Sequence, residues 1–180
     1  MDFEGYDALT LSEEEKELLK TLRRLSDTHK VEYGVAAKDS WVSPYFTDHS
    51  PNSVHIPEEI RSLDGVSLYH SHTNETLLSV QDLQLLLYPQ FRKIAVITPD
   101  FNICVASIGN GYRPDGMEFA AVVKQVQRNI DAGLLDVPDF RKWNKEERFA
   151  YYTCEQCYQI ARSFDWHIEG GNYNVSESIS

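Results

Sequence analysis

Apolar residues recur at helical spacing in four segments of the chain, three or four positions apart, as on one face of an α-helix. The first segment opens at Ser12, where Ser-Glu-Glu-Glu is a capping-box signature, and it fades near Asp27. The second begins at Ser79 and ends before Pro89, because proline cannot continue a helix. The other two predicted helices cover residues 117–132 and 145–164.

Shorter apolar or alternating runs between these helices predict β-strands over residues 31–38, 66–70, 93–98 and 102–108. The last two strands form a hairpin, and residues 39–57 have the composition of a loop with a short strand at 41–42. A helical turn follows at 57–60. The order of elements predicts an α/β fold: a curved mixed β-sheet flanked by helices, with an extra C-terminal helix.

The length of 180 residues suits one domain with a sizeable core, and we place that domain at residues 11–168. Residues 1–10 are predicted to form a flexible leader. The Ser-rich segment around and beyond Gly170 and Gly171, residues 169–180, is predicted to be a disordered tail.

The formal net charge of −11 argues against nucleic acid as a partner, since affinity there comes from neutralising phosphates. The same charge argues against binding to an anionic membrane surface, and no segment approaches the length of a membrane span. The N-terminal residues do not resemble a signal peptide, and the 3 cysteines do not suggest a disulfide framework. These features predict a cytoplasmic protein.

The candidate chemistry is concentrated at the end of the 66–70 strand, where His70 and His72 flank Ser71. Because side chains alternate along a strand, the two imidazoles face the same side. Asp82 follows in the first turn of the next predicted helix. Two histidines and one carboxylate make a three-ligand zinc site that leaves a fourth position for water, as a catalytic zinc requires.

The order His-x-His followed by Ser-x-x-Asp resembles the motif of the JAMM (MPN+, JAB) zinc metalloproteases. The resemblance extends to a Glu in an early strand, here Glu32, and over residues 10–135 to the order of elements in a single MPN/JAB-like domain. It implies that His70, His72 and Asp82 hold Zn²⁺. It further implies that Glu32 is the general base and then acid, and that Ser79 donates a hydrogen bond to the oxyanion. The implied reaction is hydrolysis of a peptide or isopeptide bond by a metal-activated water.

The resemblance also implies a protein or peptide substrate, with ubiquitin-like proteins among those that the family cleaves. The sequence does not indicate the oligomeric state.

Three features depart from the family pattern. Six residues rather than seven separate His72 from Ser79, Thr73 replaces a proline, and Glu32 lies two residues before Gly34 rather than three. The loop at residues 39–57 is expected to flank the site.

Other interpretations of these residues remain open. Ser79 and Asp82 also match a plain capping box, and a His-x-His in a strand can be structural. Glu58 and Glu59 are alternatives to Glu32 as the base. The function could instead be that of a non-catalytic MPN-like scaffold or protein-interaction module. A PHP-type phosphoesterase is disfavoured because only His167 follows His72.

Cys154 and Cys157 form a Cys-x-x-Cys pair in the last predicted helix, where they are expected to occupy a buried face. The aromatic residues of the same region are expected to belong to the core: Trp143, Phe149, Tyr151, Tyr152 and Tyr158.

Overall fold

A computed structural model describes residues 3, 5–109, 111–134, 137 and 140–173. The helices are α1 (Glu13–His29), α2 (Glu58–Arg61), α3 (Val80–Leu85), α4 (Gly116–Gly133) and α5 (Lys145–Ser163). The strands are β1 (Gly34–Lys38), β2 (Trp41–Val42), β3 (Val66–Ser71), β4 (Phe91–Ile97), β5 (Asn102–Ser107) and β6 (His167–Asn172). The predicted α/β class is confirmed.

The strands form one six-stranded sheet in the order β2-β1-β3-β4-β5-β6. The pair β3–β4 is parallel, and all the other neighbouring pairs are antiparallel, so the sheet is mixed as predicted. The parallel pair requires a crossover, which α3 provides between β3 and β4. The central position of β3 places its C-terminal end, with His70, between β1 and β4.

Helices cover both faces of the sheet, and alternation along the strands divides the buried side chains into two clusters. On one face α1 contributes Leu19 and Leu22, which pack with the strand residues Val35, Tyr69, Ala95, Ile97, Ile103 and Val105. On the other face α3, α4 and α5 pack over Leu68, Ile94, Val96, Cys104 and Ala106. Burying each large apolar side chain contributes about 1.5–3 kcal/mol, which fixes the helices against the sheet.

The starts of the helices agree with their capping residues. Ser12 accepts a hydrogen bond from Glu15 N at 3.2 Å, and the Glu15 carboxylate accepts one from Ser12 N at 2.9 Å, which completes the predicted capping box. Asn144 and Glu147 form the same arrangement at α5. These caps satisfy N–H groups that have no partner within the helix, and so they define where each helix begins.

Two predicted boundaries differ from the structure. The first strand was expected to begin at residue 31, but β1 begins at Gly34. Residues 31–33 precede the regular ladder: Glu32 N donates to Ser50 O of a loop at 2.9 Å, and the contacts of Tyr33 with β3 are limited to Ser71 at the end of that strand. The helix α3 ends at Leu85, several residues before Pro89, because the following turns tighten into bonds from Leu87 N to Gln84 O and from Tyr88 N to Leu85 O.

The predicted disordered tail, residues 169–180, is wrong at its start, because strand β6 extends to Asn172 and pairs along β5. Both glycines lie within this strand, and a Cβ at Gly170 would overlap the rings of Phe3 and Tyr6. Residues 174–180 lie outside the described residues. The predicted flexible leader, residues 1–10, also differs from the structure where it is described, because Asp7 bridges to Glu169 and Tyr6 OH donates to Cys154 O at 3.0 Å.

The cysteine prediction is confirmed: Cys154 and Cys157 are buried on α5, and neither forms a disulfide bond. The core prediction for the aromatic residues is wrong for Phe149, which is 59% exposed.

Among the described helices, none combines the length and the apolar character needed to cross a bilayer.

Candidate metal centre

Strand β3 brings the two histidines to one place. His70 is its penultimate residue and lies opposite Gly34 of β1 and Val96 of β4. His72 follows directly after the strand, where its N–H still donates to Ile97 O at 2.9 Å. This bond continues the extended backbone for one more step, so that the two imidazoles lie on the same face of the sheet. Both rings are buried.

Asp82 reaches the same place from the first turn of α3. Ser79 is the N-cap of that helix, and its Oγ accepts a hydrogen bond from Asp82 N at 3.2 Å. The Asp82 Oδ2 atom in turn accepts bonds from Ser79 N and Ser79 Oγ, both at 2.7 Å. The capping box therefore orients the carboxylate, and Oδ1 is directed toward His70.

The potential ligand atoms converge at distances that suit a metal ion. His70 Nε2 lies 3.1 Å from His72 Nε2 and 3.3 Å from Asp82 Oδ1, and the ligand atoms of the three residues all lie within 4.8 Å of one another. In a tetrahedral site with Zn–N bonds of about 2.0–2.1 Å, two ligand atoms are separated by about 3.3–3.4 Å. Two of the separations in this triad are close to that value, so His70, His72 and Asp82 could hold a metal ion.

The tautomer of His72 is fixed by the backbone. Its Nδ1 lies 2.6 Å from the carbonyl oxygen of Thr76, and because a carbonyl can only accept, Nδ1 must carry the proton. The lone pair of His72 is then on Nε2, which faces His70 and Asp82. His70 Nδ1 is buried without a partner at hydrogen-bond geometry among the described residues, although the Ala95 carbonyl is near enough to favour the protonated ring.

Burial and neighbouring charges shift the pKa values of the three groups of the triad in different directions. Burial, reinforced by the charge of His70, lowers the pKa of His72 to about 4, so this imidazole is neutral at pH 7, as a metal ligand must be. Burial opposes a charge on His70 also, but the nearby Asp82 carboxylate prevails and raises the pKa of His70. Burial likewise disfavours ionised Asp82, yet His70 and the hydrogen bonds from Ser79 hold its pKa well below the usual range. The carboxylate is thus available to a cation.

Glu32 lines the same cavity as the triad, in the segment just before β1. The adjoining residue explains how that segment is held: Tyr33 N donates to Ser71 Oγ at 3.1 Å, and Ser71 N donates to Tyr33 O at 2.9 Å. Glu32 is 6% exposed, and burial raises its pKa to about 7, although the charge of His70 acts in the opposite direction. A carboxyl with this pKa can both accept and release a proton near neutral pH.

Gly34 makes room for the loop whose later residues line this cavity. A Cβ at Gly34 would overlap the ring of Phe46, which crosses directly over it. Phe46 and Gly34 exchange two backbone hydrogen bonds of 2.8 and 2.9 Å, and these bonds anchor the loop that follows β2. This loop supplies Asn52 to Ile56 to the cavity, which agrees with the expectation that residues 39–57 flank the site.

The cavity has a volume of about 570 Å³. Two other cavities of about 620 and 660 Å³ lie elsewhere, so size alone does not single out this one. What distinguishes this cavity, among the described residues, is its group of potential metal ligands, His70, His72 and Asp82. Glu58 and Glu59, the alternatives to Glu32, are exposed on α2 and are not among the side chains that line the cavity.

The structure also contributes lining residues that had no signal in the sequence. Arg61 of α2 and Phe149 of α5 border the cavity, although both are far from the His-x-His motif along the chain. The Arg61 side chain is held at its base, because Nε donates to Ile56 O at 3.1 Å. Residues from two helices that are distant along the chain meet at this cavity because of tertiary packing, which local sequence spacing does not reveal.

Comparisons with known proteins do not assign the chain to a family. A scan against family models, a search of curated proteins and a search of solved structures each found no match.

Proposed function

We propose that this chain is a zinc-dependent hydrolase of the JAMM (MPN+) class, with an MPN/JAB-like domain, that cleaves a peptide or isopeptide bond. The observation that carries the proposal is the convergence of His70, His72 and Asp82 in one cavity with a buried carboxyl group, that of Glu32. The metal ligands and the proposed base occupy the same order along the chain as in the family motif.

The donor set favours zinc among the common divalent ions. Imidazole nitrogen suits zinc, whereas magnesium and calcium prefer sites made only of oxygen atoms. His70, His72 and Asp82 would hold the ion, and a three-ligand zinc site would leave a fourth position for water. When bound, zinc acts as a Lewis acid and lowers the pKa of a water molecule to about 7.

In this proposal Glu32 moves the proton. Its carboxylate accepts a proton from the attacking water while a new C–O bond forms at the scissile carbonyl. Glu32 then gives that proton to the amine nitrogen as the C–N bond breaks, which releases a carboxylic acid and an amine. The pKa of about 7 that burial gives Glu32 suits both steps, because a group that must accept and then release a proton works best near the ambient pH.

One observation favours the alternative, a non-catalytic scaffold or protein-interaction module. The Ser79 hydroxyl, which the family resemblance assigns to the oxyanion, donates its proton to Asp82 Oδ2 at 2.7 Å. In this arrangement Ser79 serves the helix cap and the orientation of Asp82. Zinc content and hydrolytic activity distinguish the two functions.

The proposed substrate is a protein or peptide, with a ubiquitin-like protein as the first class to test. We also propose a cytoplasmic location, since Cys104, Cys154 and Cys157 are buried and not joined in disulfide bonds, as expected in a reducing compartment. The net charge of −11 supports neither nucleic acid nor an anionic membrane as a partner.

The proposal is tested by incubating the zinc-loaded protein with ubiquitin-like proteins joined through their C-terminal glycine to a peptide or to a lysine side chain, and detecting cleavage by mass spectrometry. Glu32→Gln should reduce the rate by about 10²–10⁴-fold without loss of zinc. Glu58→Gln is the matched control and should retain full activity. Bound zinc with no cleavage of any substrate would favour the scaffold.

A further inference from the structure

The short loop between His72 and Ser79 is anchored at its centre by the carboxylate of Glu75. Glu75 accepts hydrogen bonds from Thr98 Oγ1 at 2.8 Å and from Asp100 N at 3.0 Å, with a longer one from Asn102 Nδ2 at 3.4 Å. Thr98 and Asp100 belong to the turn between β4 and β5, and Asn102 is the first residue of β5. Thr98 is fully buried and Asn102 is nearly so, which makes the anchor rigid.

The residue after this anchor touches the candidate metal ligand. The carbonyl oxygen of Thr76 accepts the hydrogen bond from His72 Nδ1 at 2.6 Å. The Thr76 backbone is itself set by Asn74, whose Oδ1 accepts from Thr76 N at 2.9 Å and also from the Thr76 hydroxyl. Glu75 therefore lies between Asn74, which orients the Thr76 backbone, and Thr76, whose carbonyl fixes the His72 tautomer.

The far end of the loop is held separately. Leu77 and Leu78 are buried in the core, and the Cys157 thiol donates to Leu78 O. Of the described contacts of residues 73–76, those of Glu75 are the ones that join the loop to the β4–β5 turn. Loss of this carboxylate would free the middle of the loop while leaving both ends attached.

We propose that Glu75 is a positioning residue for the metal centre: by anchoring the loop to the β4–β5 turn, it holds the Thr76 carbonyl on His72 Nδ1 and keeps Nε2 as the ligand atom. The inference rests on the proposed function for its metal-binding consequence. Groups that orient a metal-bound histidine in this way typically account for 10–100-fold in metal affinity, so we expect an effect of about that size.

The test compares Glu75→Ala and the milder Glu75→Gln with the matched control Glu169→Ala. Glu169 also accepts hydrogen bonds from a backbone N–H and a threonine hydroxyl, those of Thr10, but it lies on β6. Zinc dissociation constants are measured by competition with a chromophoric chelator. Glu75→Ala should weaken zinc binding about tenfold or more, and Glu169→Ala should leave it within twofold of the wild type. Equal affinity of wild type and both Glu75 variants would overturn the proposal.

A second readout does not depend on the metal and separates this inference from the proposed function. Histidine ¹⁵N NMR of the metal-free protein reports which nitrogen of neutral His72 carries the proton. The wild type and Glu169→Ala should show protonated Nδ1, whereas the Glu75 variants should show a mixture of tautomers. A wild type that does not bind zinc but shows this difference would contradict the proposed function and leave the role of Glu75 supported. An unchanged His72 tautomer in folded Glu75 variants would contradict the role itself.

Discussion

His70 Nε2 lies 3.3 Å from Asp82 Oδ1, although the two residues belong to different elements, a central strand and the helix that follows it. Both side chains are largely removed from solvent, at 3% and 16% exposure. With His72 alongside, two imidazoles and a carboxylate share one small region of the interior. A cation placed there could bind all three ligands while every helix and strand stays folded.

Zinc should stabilise the folded protein. A ligand that binds only the native state at 100 times its dissociation constant adds about 2.7 kcal/mol, which raises Tm by roughly 5–10 °C in a domain of this size. Thermal unfolding followed by circular dichroism, with and without zinc, measures the shift. Magnesium serves as the control ion and should produce no shift, since it prefers oxygen ligands. A zinc-dependent shift that persists in His72→Ala would place the ion elsewhere.

Ser79→Ala should destabilise the protein by about 1 kcal/mol, because it removes the N-cap of α3. The same change removes one of the two hydrogen bonds from Ser79 that orient the Asp82 carboxylate, so zinc affinity should fall as well. Ser79→Asn, which can cap the helix, should recover most of the stability. Chemical denaturation and zinc titration of both variants check this expectation. Full stability of Ser79→Ala would show that the capping box is energetically unimportant.

Gly34→Ala should be destabilising by about 1–3 kcal/mol, the usual cost of inserting a methyl group into a packed region. The new Cβ would overlap the Phe46 ring, which must then move. The double variant Gly34→Ala/Phe46→Leu should lose less free energy of unfolding than the sum of the losses in the two single variants. Urea unfolding of all four proteins measures that coupling, and strict additivity would argue against a direct clash.

Glu15 should contribute stability that depends on pH. Its carboxylate accepts bonds from Tyr69 OH at 2.6 Å and Lys93 Nζ at 2.8 Å, and although burial acts in the opposite direction, these partners lower its pKa below 4.5. Because the pKa is lower in the folded state, the stabilisation is present above the unfolded value and is lost as pH falls through the folded one. Glu15→Gln should therefore cost about 1.5 kcal/mol at pH 7 and much less in acid. A difference that stays constant down to pH 2 would contradict this assignment.

The parts of the site that were predictable from sequence are those set by local spacing. His70 and His72 share a face because of strand alternation, and Ser79 and Asp82 meet because they are separated by one helical turn. The position of Glu32 is different, since it depends on hydrogen bonds that join the segment just before β1 to Ser50 and Ser71. Only its place in the family order indicated it.

The errors in the predicted fold have a common physical cause. The sequence predicts a disordered tail where strand β6 pairs with β5, because the segment around and beyond Gly170 and Gly171 is Ser-rich and polar. Here Gly170 makes room for Phe3 and Tyr6, which come from the opposite end of the chain. Similarly, Arg61 and Phe149 reach the cavity only through the packing of α2 and α5. Contacts between distant segments leave little periodic signal in a single sequence.

The most direct measurement of the central claim is the metal content of the purified protein by elemental mass spectrometry. The wild type, supplied with zinc and then freed of excess, should contain about one zinc per chain, as a single three-ligand site requires. His72→Ala and Asp82→Asn should lose the metal, and Glu58→Gln should keep it. A wild-type protein that remains free of zinc after this treatment, while correctly folded, would contradict the proposed metal centre and the hydrolase assignment built on it.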